Sequence, residues 1–328
     1  MNPLQIEHDF EWVLNCPTLL DSAVVHEMFG VDVLHLEPNN ISAPHSELLR
    51  LAKNLRSRRV GDYFEQLSLL AVEHTPSFDV LVRHLQIHDD HRTIGEIDCI
   101  YRNQRAEIVH LEIAVKFFLF NEQLPNRILP EEMANWGILN HFIGPNPADS
   151  LAGKLQHLIT RQLQLANHPS AKEHVGQSVD RKQILLKGVL HYPRVGTHTS
   201  DSATKKRSHP NPSESQAQHQ HPLIAASHQQ GTWIRLSELN TLHPKRNSEQ
   251  QIDYRIMAKP NWLSNRMQNA KWQNYDRFAE AVTAHFASGG TALLTLLRCM
   301  SKSGSIEADE RCFIVHDRWP EPAEPNSA

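Results

Sequence analysis

The sequence predicts an α/β fold with a core between about residues 46 and 195. Apolar residues recur at helical spacing in two segments of this region and at a period of two in others. Along the chain these segments follow the order helix, strand, strand, strand, helix, strand. This order predicts a core of interleaved helices and strands, with additions at both ends of the chain.

The first core helix is predicted between Gly61 and about His74. One face carries an apolar stripe at helical spacing, formed by Val60, Phe64, Leu67 and Ala71. Glu65 lies at the edge of this stripe, and Pro76 ends the helix because proline cannot continue it. One carboxylate is therefore expected beside the buried face of the helix.

Three strands are predicted to follow this helix. Residues 78–87 have a weak strand pattern that fits a helix nearly as well. Residues 96–101 and 108–120 alternate regularly, with a short polar turn between them. The longer strand has one wholly apolar face, whereas its other face carries Glu112 and Lys116. Charges in the middle of a strand are costly unless they are paired, hydrated or bound to a metal.

A second core helix is predicted to open at Asn146, since asparagine is a good helix cap and the following Pro-Ala-Asp suits a first turn. Its apolar stripe is formed by Leu151, Leu155, Leu158 and Leu165. A polar stripe at helical spacing is formed by Lys154, His157, Arg161 and Gln164. Residues 184–191 then have the pattern of a buried strand, which completes the core.

The central hairpin brings carboxylates together. Glu96 and Asp98 share one face of the shorter strand, and antiparallel pairing predicts that Asp98 lies near Glu112. Carboxylate oxygens are the preferred ligands of hard divalent cations. The hairpin is therefore a candidate metal site, with Lys116 on the same strand face as Glu112.

These elements and motifs resemble the PD-(D/E)XK nuclease superfamily over about residues 46–195. The motifs are Gly61-x-x-x-Glu65, Gly95-Glu96-Ile97-Asp98 and Glu112-x-Ala114-Val115-Lys116-Phe117. The resemblance implies a three-layer, restriction-endonuclease-like core with a mixed sheet flanked by helices. It also implies that Glu65, Asp98 and Glu112 are catalytic residues that bind Mg²⁺ or Mn²⁺, and that Lys116 is the catalytic lysine.

The function that this resemblance implies is metal-dependent hydrolysis of phosphodiester bonds in DNA or RNA. The metal would polarise the scissile phosphate and activate water, while Lys116 would stabilise charge on the phosphoryl oxygens. Residues expected to support the metal ligands or to contact phosphate are Glu96, Lys154, Arg161 and Lys187. For the three cations, ordinary solvated surface positions are the simpler interpretation.

The chain departs from the superfamily pattern at Ala114. The superfamily places its lysine two residues after the acid, whereas here Lys116 follows Glu112 by four. Along a strand this separation is roughly 13 Å instead of about 6.6 Å. The alternative function is therefore a catalytically inactive nuclease-fold module that binds nucleic acid or a protein partner.

The chain as a whole resembles an uncharacterised bacterial family called domain of unknown function 1853. Besides the nuclease-like motifs, this resemblance depends on Gly144-Pro145-Asn146, Leu186-Lys187-Gly188 and Trp319-Pro320. It spans most of the chain and implies no activity by itself.

The composition is ordinary for a soluble globular protein, with 40% hydrophobic and 21% charged residues among 328. A formal net charge of -4 excludes a global basic field, so any contact with nucleic acid requires a local patch. The best candidate patch consists of Lys53, Arg56, Arg58 and Arg59. The four cysteines have no metal-ligand spacing, and we find neither a signal peptide nor an apolar run of membrane-spanning length. The expectation is a cytoplasmic protein without a membrane partner.

The predicted organisation has four parts, comprising an N-terminal extension (1–45), the nuclease-like core (46–195), a disordered insertion or linker (196–230) and a C-terminal mixed α/β part (231–328). The linker is rich in Ser, His, Gln, Asn, Thr and Pro and has few apolar residues to bury. In the C-terminal part, residues 233–239 fit a strand or a short helix. Residues 278–297 are predicted to be helical with a break at Ser288-Gly289-Gly290, and residues 311–316 to form a strand.

Overall fold

The computed structural model describes most of the chain. The described residues are 3–55, 57–89, 92–122, 136–194, 221–244, 251–266, 271–301 and 303–321. Arg56, which the sequence places in a basic patch, and residues 196–220 of the predicted linker lie outside these ranges.

Groups of helices and groups of strands follow one another along the chain. The helices are α1 (Pro3–Asn15), α2 (Ser22–Phe29), α3 (His45–Asn54), α4 (Val60–Glu73), α5 (Leu151–Thr160), α6 (Pro169–Val175) and α7 (Tyr275–Ala287). The strands are β1 (Asp32–Val33), β2 (Asp79–Asp89), β3 (Arg92–Arg102), β4 (Ile108–Phe120), β5 (Phe142–Ile143), β6 (Arg181–Pro193), β7 (Gln229–Arg235), β8 (Gln251–Met257), β9 (Leu293–Met300) and β10 (Ile306–Val315). None of the helices in the described ranges is both long and apolar enough to cross a membrane.

The predicted order of the main core elements is confirmed. Helix α4 is followed by β2, β3 and β4, and then by α5 and β6. The segment 78–87, for which strand and helix patterns were nearly equal, lies almost entirely in β2. The short elements β5 and α6 were not predicted.

One mixed sheet contains the described strands, in the order β2-β3-β4-β6-β7-β10-β9-β8, with β1 on β6 and β5 on β4. Strand β3 is antiparallel to β2 and β4, whereas β6 is parallel to β4. The parallel pair of β6 and β7 then carries the sheet into the C-terminal part of the chain. The core and the C-terminal part therefore share one continuous sheet.

Apolar clusters cover both faces of β4. Its odd-numbered residues pack with Phe64 and Leu67 of α4, as the apolar alternation predicted. Its even-numbered Phe118 and Phe120 pack with Leu151 and Leu155 of α5 on the opposite face. Helices therefore lie on both sides of the sheet, and the charged face of β4 is covered as well.

The start of α5 differs from the prediction. Residues 146–149 form a tight turn in which the Asn146 carbonyl accepts from the Asp149 amide at 3.0 Å. The helix begins at Leu151, and the hydroxyl of Ser150 caps it by accepting from the Gly153 amide at 3.1 Å. Because the helix also ends at Thr160, the second half of the predicted polar stripe lies beyond it.

The predicted helix over residues 278–297 is wrong in its second half. Helix α7 ends at Ala287, and Gly289 follows with a φ of 78°, a left-handed conformation that favours glycine. Residues 293–300 form β9 between β8 and β10. A short run of apolar residues fits a buried helix or a buried strand equally well, and pairing on both sides decides for the strand.

The end of the predicted linker contacts the core. Residues 221–230 belong to the described part of the chain, and Leu223 is 1% exposed. Ile224 forms a bridge with Leu20, and β7 begins at Gln229. The described final third of the linker is therefore packed against the N-terminal part.

Candidate active site at a fork between two strands

Strands β3 and β4 separate in the middle of the sheet. They pair only where residues 99–102 face residues 108–111. Beyond the last pair, Cys99 with Leu111, β3 continues along β2 and β4 continues along β6. The next residue on β3 is Asp98 and the next on β4 is Glu112, so the two predicted carboxylates lie at the fork.

Side chains take over the hydrogen bonds that the diverging strands no longer make. The Ile113 amide donates to Asp98 Oδ2 at 2.7 Å. In return, the backbone amide of Asp98 donates to the Glu112 carboxylate. These reciprocal bonds hold both carboxylates at the fork, since each is tied to the opposite strand.

The Glu112 carboxylate is fully buried and has a partner on each oxygen. His110 Nε2 lies 2.7 Å from Oε1, and Gln162 Nε2 donates to Oε2 at 2.6 Å. The other atom of the Gln162 amide, Oε1, accepts from Lys154 Nζ at 3.0 Å and lies 3.1 Å from His157 Nδ1. Helix α5 and the 3₁₀ segment Gln162–Asn167 that follows it therefore orient Glu112 from above the sheet.

A second group of possible ligands lies on the open side of the fork. Within the part of the chain that is described, Glu65, His84 and Glu96 offer ligand atoms that all lie within 4.8 Å of one another. His84 Nδ1 is 3.1 Å from Glu65 Oε1 and 3.5 Å from Glu96 Oε1. These side chains come from α4, β2 and β3, and each is partly exposed.

His84 reaches this group through an unusual backbone conformation. Its φ is 51°, a left-handed value that is uncommon for a residue with a side chain and costs energy. Pairing of Arg83 with Cys99 and of Leu85 with Ile97 places His84 opposite Asp98. The left-handed residue therefore lies directly across from the fork.

The carboxylates of the fork oppose one another's ionisation. Burial raises the pKa of Glu65 to about 7, and the charge of Asp98 adds to that shift. Burial, and then Glu112, raise the pKa of Asp98. Burial also raises the pKa of Glu112, although Lys154 counteracts it, and Glu96 raises the pKa of all three. The cluster therefore holds protons, or another cation, more readily than isolated carboxylates do.

The two lysines near the fork have different partners. Lys116 forms an ion pair with Asp149. Lys154 interacts with both Glu112 and Asp98, while burial and then the neighbouring Lys116 lower its own pKa. Of the two, Lys154 is thus the one whose charge acts on the fork carboxylates, and Gln162 connects it to Glu112 by hydrogen bonds.

The predicted site residues divide into those inside and those outside this region. Glu65, Glu96, Asp98, Glu112 and Lys154 come together. Glu65 shares the 4.8 Å group with His84 and Glu96, whereas Asp98 and Glu112 do not belong to that group of described residues. Arg161 is exposed at the C-terminal end of α5. Lys187 is 2% exposed and donates to the Val13 and Leu14 carbonyls on the opposite face of the sheet.

Three residues of the site were missed in the sequence. His110 had a usable signal, because it shares the strand face of Glu112 two residues away. Gln162 lies in a 3₁₀ segment, and His84 depends on the left-handed turn of β2. Neither position has a periodic pattern that would reveal it.

A family model described as Domain of unknown function (DUF1853) matches residues 8–315. The chain belongs to this family. The resemblance inferred from the motifs along the whole chain is therefore confirmed. No curated protein matches the chain significantly, and neither does any solved structure.

The match covers more of this DUF1853 protein than the core alone. It begins within α1 and ends at the last residue of β10. The family model therefore includes the C-terminal strands that continue the sheet beyond β6.

Proposed function

We propose that this DUF1853 protein hydrolyses phosphodiester bonds in DNA or RNA with the help of Mg²⁺ or Mn²⁺. The observation that carries the proposal is the meeting of carboxylates from α4, β3 and β4 at the fork, where burial and mutual repulsion raise their pKa values. Residues with strongly perturbed pKa values that cluster on separate elements are typical of functional sites.

The fold supports the same proposal. Residues 46–195 are proposed to form a PD-(D/E)XK-type core, in which the first helix supplies Glu65 and the central strands supply Asp98 and Glu112. Support comes from the element order, from the antiparallel pairing of β3 with β4, and from the parallel pairing of β4 with β6. Helices on both faces of the mixed sheet fit a three-layer core.

The donor set fits a hard divalent cation. Glu65, Asp98 and Glu112 would hold the ion through carboxylate oxygens, which are the ligands that Mg²⁺ and Mn²⁺ prefer. His84 and Glu96 lie beside Glu65 on the open side, and either could add a ligand to an ion held by Glu65. Once bound, the ion would polarise the scissile phosphate and lower the pKa of the attacking water.

Residues of the chain supply the remaining parts of the reaction. His110 and Gln162 orient the Glu112 carboxylate, as partners of metal ligands commonly do. We assign stabilisation of the phosphoryl charge to Lys154, because its ammonium interacts with both fork carboxylates. Lys116, the lysine predicted from the sequence, is assigned a contact with substrate beside the fork.

One observation favours the alternative function, a nuclease-fold module that binds nucleic acid without cutting it. Glu112 is fully buried, and both of its oxygens already have protein partners. A carboxylate held in this way also fits a purely structural role. The alternative therefore predicts strand binding without any dependence on divalent metal.

The deciding experiment combines metal titration with cleavage assays. Isothermal titration with Mg²⁺ and Mn²⁺ is expected to show binding that Asp98→Asn and Glu112→Gln weaken. With either metal, wild-type protein is expected to cut single-stranded, duplex or branched DNA, or RNA, and both variants are expected to lose this activity. If wild-type protein binds neither metal and cuts none of these substrates, the inactive module replaces the nuclease.

A further inference from the structure

A basic cleft lies next to the fork, on the side where α4 begins. It has a volume of about 570 Å³. Its lining includes four cationic side chains, Arg58, Arg59, Lys116 and Lys259. The carboxylate in the lining, Asp149, is already paired with Lys116. The cleft therefore concentrates positive charge in a protein whose formal net charge is -4.

Three of the four cations of the cleft have no described carboxylate partner. Arg58, Arg59 and Lys259 are exposed. Among the described residues, no carboxylate forms an ion pair with any of these three side chains. Unpaired cations that line a concave surface focus the electrostatic field and raise the local concentration of anions.

The floor of the cleft is rigid. Trp262 is 6% exposed, and its Nε1 donates to the Met257 carbonyl at 2.8 Å. The buried Arg311 donates to the Trp262 carbonyl at 2.7 Å. Lys259 Nζ lies 4.7 Å from the centroid of the Trp262 ring, a cation–π distance that places the ammonium over the floor.

The first turn of α4 adds backbone donors to the cleft. Val60 and Gly61 belong to the lining, and the preceding Arg59 makes no side-chain hydrogen bond that would cap the helix. A Cβ added at Gly61 would meet nothing within 4 Å. An anion can therefore approach the uncapped amides closely, at the end of the helix that favours negative charge.

Lys116 links the cleft electrostatically to the fork. Lys116 lines the cleft and is also an electrostatic neighbour of Lys154, which in turn interacts with Glu112 and Asp98. A series of cations thus leads from Lys259 across the cleft to the fork. We propose that this cleft binds phosphate groups of a nucleic-acid strand next to the phosphodiester that occupies the fork.

The choice of a polynucleotide rests on the proposed function of the fork, whereas the anion site itself rests on the cleft. The cleft volume of about 570 Å³ lies within the range of pockets for single small molecules, about 300–1,000 Å³, so it accommodates a mononucleotide as well as part of a strand. Free phosphate or a mononucleotide offers the same chemistry as a strand. The experiment therefore compares these sources directly.

Strand binding is measured by fluorescence anisotropy with a fluorescein-labelled oligothymidylate, on the full chain and in EDTA, so that catalysis plays no part. Arg58→Gln/Lys259→Gln is expected to weaken binding roughly tenfold at low salt. The slope of log affinity against log salt is expected to fall by about 1.4, which corresponds to two lost phosphate contacts on a single strand.

The matched control is Lys172→Gln/Arg277→Gln, which removes one lysine and one arginine from exposed positions on α6 and α7. It is expected to bind within about twofold of wild type, as surface changes away from the contact do. Equal losses in the two double variants, or no binding by wild type, would overturn the proposal. So would full displacement of the strand by inorganic phosphate or thymidine monophosphate at the same phosphate concentration.

Cleavage with Mn²⁺ is assayed separately on the same variants. If binding depends on Arg58 and Lys259 but no substrate is cut, the proposed function fails and the cleft remains a strand-binding site. If wild type cuts and the cleft variant retains its KM and its anisotropy, the cleft proposal fails and the proposed function stands.

Discussion

At the scale of single residues, the fork makes a carboxylate titrate far from its ordinary range. Burial and the neighbouring acids raise the pKa of Asp98 above its unfolded value of 3.8, to about 7. Between pH 3.8 and about pH 7, Asp98 holds a proton in the folded protein that it has lost in the unfolded chain. The free energy of unfolding of the metal-free protein therefore falls as pH rises through the interval, and recovers as pH falls.

Asp98→Asn tests this linkage. The amide oxygen still accepts from Ile113, but the repulsion of Glu112 and Glu65 is removed. Above pH 7, the metal-free variant is expected to be more stable than wild type by about 2 kcal/mol, with a flatter pH dependence. Urea unfolding across this pH range measures both effects, and equal slopes for variant and wild type would contradict the account.

The affinity for a divalent metal is expected to rise with pH, whereas the free energy of unfolding of the metal-free protein falls. A divalent ion bound at the proposed site would displace protons from Glu65, Asp98 and Glu112, whose pKa values are raised by burial and by neighbouring acids. The affinity for Mn²⁺ is therefore expected to rise by up to about tenfold per pH unit for each proton released. Titration calorimetry in two buffers of different ionisation enthalpy counts these protons. An affinity that does not change with pH would argue against binding at the fork.

The two lysines make separable predictions. Lys154→Met keeps most of the side-chain stem but removes the charge that acts on Glu112 and Asp98. Cleavage is expected to fall by about 10²-fold or more, the usual cost of losing one transition-state charge contact. The apparent pKa for Mn²⁺ binding is expected to rise, because Glu112 loses the cation that favours its ionised form.

Lys116→Met is the comparison for this variant. Lys116 is paired with Asp149 instead of the fork carboxylates, so its loss is expected to raise KM more than it lowers kcat. The pH dependence of Mn²⁺ binding should remain close to that of wild type. A larger loss of kcat in Lys116→Met than in Lys154→Met would return the catalytic role to the lysine predicted from the sequence.

At the scale of elements, the start of α5 shows how tertiary contacts select one of two good caps. Asn146 and Ser150 both precede the apolar stripe, but Asn146 is occupied in the turn over residues 146–149. Ser150 also bridges to Ile143 of β5, which fixes the point where the helix begins. With this start, Lys154 lies at the end of the first turn of α5, near the fork carboxylates.

Substitution of Ser150 and of Asn146 tests which of the two residues caps α5. Ser150→Ala is expected to reduce the free energy of unfolding by about 1 kcal/mol, the typical cost of a lost helix cap. Asn146→Ala, at an exposed turn position, is expected to change it by less than about 0.5 kcal/mol. Denaturant unfolding of both variants gives the answer, and the reverse order of losses would place the helix start at Asn146.

At the scale of the whole molecule, one sheet joins the core to the C-terminal part, which are separated in the sequence by the polar segment 196–230. Trp233, Trp262 and Phe313 of the C-terminal part belong to the same apolar cluster as the odd-numbered face of β4. Strand β7 pairs with β6 on one side and with β10 on the other. The C-terminal part therefore stabilises the strand next to the candidate site.

The two parts of the segment between β6 and β7 are expected to contribute differently to stability. Replacement of residues 196–220 by Gly and Ser is expected to change the free energy of unfolding by less than about 0.5 kcal/mol, because this stretch is polar and low in apolar residues. Leu223→Ala is expected to cost about 2–5 kcal/mol, because the side chain is 1% exposed. Thermal unfolding compares the two, and a large loss from the replacement would show that the polar half is packed as well.

The sequence by itself determined the elements that have a clear period and the residues that share a face. The apolar alternation of β4, the stripe of α4 and the approach of Asp98 to Glu112 follow from the side-chain periods of strands and helices. These are local properties, because the spacing of neighbouring residues decides which of them point to the same side. The match of the DUF1853 family model agrees with the motifs read along the same chain.

Only the tertiary structure decided which other side chains join Asp98 and Glu112. The fork depends on β4 leaving β3 to continue along β6, and the place of Lys154 depends on where α5 begins above the sheet. His84 joins the carboxylates through a left-handed residue in β2, and β9 is a strand because β8 and β10 pair with it. Such contacts join residues far apart in the chain, so no local period can specify them, whereas register and packing do.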